Sequence, residues 1–179
     1  VIDNKQKAWF NLILLLSTSA IMSWFWLKEA RSNVAWTYVI YVGGVVGFFI
    51  YSLYNDVNHV VSIGVCAVTI TSGFATFYGW WDNGFDNYIH LSIHFLVGIM
   101  AYRLWSRHLE SGWLILLVSM SMVVLFGYFI EMVEYLLWEL VEVTPAPLGM
   151  FYADTMDDFL YDIAGGFIGV GLAWFFYKR

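Results

Sequence analysis

Asp86, His90 and His94 follow one another at intervals of four residues in an otherwise apolar, aromatic stretch, and at that interval they share one helix face. Asp154, Asp158 and Asp162 repeat at the same interval, while Glu131 and Glu134 are three apart. Each set can therefore line one stripe of its own helix. Two imidazoles with three to five carboxylates form a mixed nitrogen and oxygen donor set suited to one or two divalent metals, zinc, iron, manganese or copper. Helix bundles hold such ions with side chains from facing helices. The expected ligands are His90, His94, Glu131, Glu134, Asp158 and Asp162, with Asp86 and Asp154 as outer or alternate ligands that can fix a histidine tautomer. Asp157 falls off its stripe and is expected at the surface.

A metal is not the only arrangement that fits. Carboxylates gathered in a poorly solvated site cannot all ionise without compensation, so either a cation or shared protons must accompany them. The alternatives are a proton or ion relay in a water-filled cavity and a structural polar network. The spacing contains neither HExxH nor a paired ExxH, so no catalytic residue is assigned. Tyr128 and Tyr135 flank the glutamates and can donate hydrogen bonds, although aromatics in so aromatic a chain mostly pack.

The elements that carry these residues are membrane spans. The 179-residue chain is 61% hydrophobic and only 12% charged, against roughly half apolar and a quarter charged in a soluble domain. That composition leaves room for about six spans of about 20 residues. One all-α transmembrane domain over 1–179 is expected, with spans near 8–27, 34–53, 57–78, 85–105, 113–140 and 155–177. Gly43, Gly44 and Gly47 in the second span, and Gly165, Gly166, Gly169 and Gly171 in the sixth, are small residues that suit close helix approach. The first apolar run is longer than a signal-peptide core, so it is read as a retained span.

Other classes are disfavoured. Eight Lys and Arg in total, without a basic stripe, argue against nucleic-acid binding. There is no glycine-rich phosphate loop, nucleophile elbow or CxxC pair. The single cysteine, Cys66, reads as a small buried hydrophobe, and His59, alone near a membrane edge, reads as a hydrogen-bonded or hydrated residue rather than a ligand.

Orientation follows from the basic residues. With six spans, Lys5, Lys7, Arg103, Arg107, Lys178 and Arg179 share the side of the termini, and only Lys28 and Arg31 lie opposite. The positive-inside rule then puts both termini in the cytoplasm. Asp82 and the loop with both prolines fall on the outer side. Counting inward from the outer ends at ~1.5 Å per residue puts His90 and His94 at roughly 8 and 14 Å, Glu134 and Glu131 at roughly 9 and 14 Å, and Asp158 and Asp162 near 6 and 12 Å. Three helices thus carry their ionisable residues at one depth, in the outer half of the bilayer.

Asp86 to His90 with His94 and Phe95, then Glu131 to Tyr135, then Asp154 to Gly166 make the C-terminal 100 or so residues resemble the YjdF family of small polytopic bacterial membrane proteins, and more distantly VanZ-like proteins. In that likeness an Asp and His open a middle span, a helix carries paired glutamates, and Asp154, Thr155 and Asp158 start a glycine-rich last span. The resemblance supports grouping these residues. A weaker likeness, of Asp86, His90 and His94, is to the Asp, His, His copper site in the membrane subunit of particulate methane and ammonia monooxygenases.

The expected function is a cell-membrane protein with a buried His and carboxylate site that binds divalent metal, its chemistry directed at a lipid or other hydrophobic substrate. The competing class is non-enzymatic, either an accessory subunit held by partner membrane subunits or an ion-coupled carrier, which should show internal repeats or broken helices.

Overall fold

The computed structural model describes residues 4–29, 35–54, 59–78, 84–141 and 148–177. They form six α-helices: α1 (Asn4–Glu29), α2 (Ala35–Tyr54), α3 (His59–Tyr78), α4 (Phe85–Trp105), α5 (Gly112–Val141) and α6 (Leu148–Tyr177). The fold is all-helical, as the long apolar runs require, because a segment without water must satisfy its own backbone hydrogen bonds. Helices cover the expected segments, and the largest difference is in the sixth. There α6 begins at Leu148, earlier than 155, so Asp154 to Asp162 sit inside the helix and not on its first turn. Asp82, both prolines and the side chain of His59 lie outside the described residues.

The 61–78 part of α3, the 112–136 part of α5 and the 152–177 part of α6 are each long and apolar enough to cross a membrane, and α1 and α2 contain shorter apolar runs. The helix that carries both histidines, α4, has no such window among the described residues, because Asp86, His90, His94 and Arg103 interrupt its apolar sequence.

Two compact units divide the chain, residues 1–85 and 86–179. In the first, Met22 and Phe25 of α1 are buried against Ile21, Tyr41, Val42, Ile70 and Phe77. Gly73 of α3 makes room for Met22, since a Cβ there would lie 2.6 Å from its Cε. Cys66 is buried, as a small apolar residue would be. The glycines of α2 depart from expectation: nothing lies within 4 Å of where a Cβ of Gly43, Gly44 or Gly47 would stand. Their face of α2 is exposed, and they do not mediate close packing among the described residues.

The second unit holds α4, α5 and α6. The turn from α4 to α5 is short, closed by the Leu109 N–H donating to the Trp105 carbonyl at 2.9 Å. At the start of α5 the Ser111 hydroxyl faces the Leu114 N–H at 3.5 Å, the position of an N-cap. A connection this short makes α4 and α5 antiparallel neighbours. Tyr102, Ile115, Val123, Val170 and Ala173, from all three helices, form a buried core toward this turn. The other half of the unit is polar. Positions 86, 90, 94 and 98 of α4 and 127, 131 and 134 of α5 each make one stripe, ionisable toward one end and glycine toward the other.

Glycine decides how closely α4 and α6 approach. A Cβ at Gly98 would lie 2.7 Å from the Gly166 carbonyl oxygen, and Cβ atoms at Gly165 and Gly169 would run into the backbone carbonyls of Leu91 and Phe95. Gly171, by contrast, has nothing within 4 Å and takes no part in the contact. The two backbones are thereby near enough for short side chains on α6 to reach the imidazoles of α4.

Candidate metal centre

His90, His94, Glu131, Asp158 and Asp162 are all buried, with His94 and Asp162 at 0% exposure. Buried ionisable groups on this scale need partners or a bound ion. They find part of what they need in one another. Nδ1 of His90 lies 2.9 Å from Oδ1 of Asp162, and Nδ1 of His94 makes a close ion pair with the same oxygen. One carboxylate oxygen therefore stands between two imidazole nitrogens. The two rings are nearly parallel, 6.3 Å apart with 13° between planes, as positions i and i+4 of a helix dictate.

Further carboxylates surround this contact. Oε1 of Glu131 lies 3.6 Å from Nδ1 of His90, and Oδ1 of Asp86 lies 3.8 Å from the opposite nitrogen, Nε2. His94 Nδ1 also faces the carbonyl of His90 at 3.0 Å. Phe126 of α5 lies against the His94 ring at 5.6 Å between centroids and is itself 40% exposed.

Three sets of side chains bring one ligand atom each to within 4.8 Å of the others: His90, His94 and Asp162; Asp86, His90 and Asp158; and His90, Glu131 and Glu134. His90 is common to all three. Seven of the eight expected residues thus meet in one place. Asp154 does not join a set and is exposed, although it lies within electrostatic reach of Asp86 and Asp158. Asp157 is exposed, as its position off the stripe implies. Tyr128 is 63% exposed and Tyr135 38% exposed, so neither is enclosed with the carboxylates.

The donors have valence to spare. Nε2 of His94, Oε1 of Glu131, Oδ1 of Asp158 and Oδ2 of Asp162 are buried without a hydrogen-bond partner. A native structure has few such atoms, and each calls for a reason, an ion being one. Within the helices of the second unit, compensation from side chains is remote: α5 and α6 contain no Lys or Arg, and α4 has only Arg103, about 20 Å along the helix from His90. The donor chemistry, two imidazoles with carboxylates, fits zinc, iron or manganese.

One residue of the site is not ionisable. Gly127 faces Asp162, so that a Cβ at 127 would stand 2.6 Å from Oδ2. The signal was in the sequence, since Gly127 lies four residues before Glu131 on the same face, but a glycine has no chemistry to attract notice. Phe126 gives no comparable signal among so many aromatics.

A family model described as predicted membrane protein (DUF2238) matches residues 10–179, and the chain belongs to that family. No curated protein and no solved structure matches it.

Proposed function

We propose that this protein crosses the membrane six times, with both termini in the cytoplasm, and that its α4, α5 and α6 site binds divalent metal for metal-assisted chemistry on a lipid or other hydrophobic substrate. The likeness to the YjdF family is part of the proposal and rests on the same residues, Asp86, His90, Glu131, Glu134, Asp154 and Asp158.

The observation that carries the metal reading is the convergence of His90, His94 and Asp162 on one buried point beside four polar atoms that lack partners. Where Nδ1 of His90 is the ligand, Asp86 faces the N–H of the other nitrogen, the usual way a carboxylate orients a metal-binding imidazole. The bound metal would supply Lewis acidity and a nucleophilic water at neutral pH. The protein's own part is to hold the donors at fixed spacing and to keep the site from bulk water. Exposed Phe126, Phe129 and Met132 on α5 offer an apolar flank along which a hydrophobic substrate would enter from the bilayer.

A proton relay is the second reading, favoured by Asp162 Oδ1 being the common partner of both imidazoles. Metal stripping separates the two. A ligand that binds only the folded state stabilises it by about 2.7 kcal/mol at a hundredfold excess over Kd. Chelator-treated protein in detergent should therefore melt several degrees lower than protein given Zn²⁺ or Mn²⁺. An unchanged melting temperature across these metals would favour the relay.

A further inference from the structure

The polar residues of the second unit occupy two successive helical turns. His94 and Asp162 form the inner turn and are fully enclosed. Asp86 on α4 and Asp158 on α6 lie toward the outer end, eight and four residues before them, and Glu131 and Glu134 of α5 face the same region. His90 stands between the turns and touches both, its Nδ1 toward Asp162 and Glu131 and its Nε2 toward Asp86.

Buried atoms without hydrogen-bond partners occur in each turn. The inner one has Nε2 of His94 and Oδ2 of Asp162; the outer has Oδ1 of Asp158, a residue 2% exposed, and Oε1 of Glu131, a residue 5% exposed. The unpartnered atoms of His94 and Asp162 and that of Asp158 fall in different donor sets, which marks two binding points. Charge leads to the same count. Asp86, Glu131, Glu134, Asp158 and Asp162 are five carboxylates, so one divalent cation leaves most of their charge uncompensated, and two bring it close to balance.

We infer that the site holds two divalent cations: an inner one held by His90, His94 and Asp162, and an outer one held by Asp86 and Asp158, whose carboxylates share a donor set. This rests on the metal reading proposed above. The two positions differ in chemistry. The inner is rich in nitrogen and suits zinc, cobalt or iron, whereas the outer is all oxygen and suits manganese or magnesium. Glu131 lies 3.6 Å from Nδ1 of His90 and shares a donor set with His90 and Glu134, so it would be the carboxylate best placed to add to the inner ion. Paired ions would supply a clamp for the attacking and leaving oxygens of a displacement reaction, a chemistry suited to a phosphoryl or acyl ester as substrate.

The test is Co²⁺ stoichiometry. Detergent-purified full-length protein is stripped with chelator, equilibrated with Co²⁺, and assayed for bound metal by elemental analysis. Two equivalents per chain are expected in the wild type. The near-isosteric Asp158→Asn should retain one equivalent together with the visible absorption of nitrogen-ligated Co²⁺, and His94→Gln should retain one equivalent with that absorption lost. One equivalent in the wild type, or two in Asp158→Asn, would overturn the two-ion inference while leaving the metal reading intact. No bound Co²⁺ in the wild type would overturn both.

Discussion

Gly127 of α5 and Asp162 of α6 are complementary in shape: a Cβ on the glycine would stand 2.6 Å from Oδ2 of the carboxylate and 3.3 Å from its Cβ. A methyl group there must displace Asp162, and with it the contact to both imidazoles. Residues that position metal ligands are commonly worth 10–100-fold in affinity. Gly127→Ala should therefore weaken Co²⁺ binding by about tenfold or more, while Gly171→Ala, where a Cβ meets nothing within 4 Å, leaves it unchanged. Equal affinities for the two variants in a competition titration would remove Gly127 from the site.

Gly165 and Gly169 set the distance between α4 and α6. Each would drive a Cβ into a backbone carbonyl, of Leu91 and Phe95 respectively, and backbone cannot rotate out of the way as a side chain can. Overpacking of this kind costs about 1–3 kcal/mol. Gly165→Ala and Gly169→Ala should each lower the unfolding free energy from denaturant titration by an amount in that range, with Gly171→Ala again within about 0.5 kcal/mol of wild type. Unfolding free energies that do not separate the first pair from Gly171→Ala would mean the helices pack less tightly than described.

The proposed orientation puts the turn between α4 and α5 in the cytoplasm, because Arg103 and Arg107 flank it. Ser111 in that turn is exposed. In a Cys66→Ala background, Ser111→Cys should react with a membrane-impermeant maleimide only after the cells are opened. Labelling of intact cells would reverse the orientation and put the polar half of the second unit on the cytoplasmic side.

Much of this was legible in the sequence because membrane helices leave few degrees of freedom. Apolar runs and polar breaks fixed six helices, and the spacing of Asp86, His90 and His94 fixed a face. Antiparallel connections then brought that face level with Glu131 and Asp162. What failed to show was of a different kind. The register by which Asp162, rather than Asp154, becomes the partner of both histidines depends on the α4 and α6 glycines interlocking. Periodicity marks those glycines as small without saying which of them touch. It gave the same weight to Gly43, Gly44 and Gly47, which face outward, as to Gly165 and Gly169, which do not. The early start of α6 was hidden as well, since a proline-containing loop limits where a helix can begin without fixing it.

The central claim is that His90, His94 and Asp162 gather to hold a metal and not merely to share protons. Elemental analysis of the protein purified without added metal, beside His90→Ala and Glu134→Ala, addresses it directly. At least one equivalent of a transition metal per wild-type chain is expected, with the content reduced in both variants. Metal far below one equivalent in all three proteins would contradict the metal centre and leave the relay through Asp162 as the function of the site.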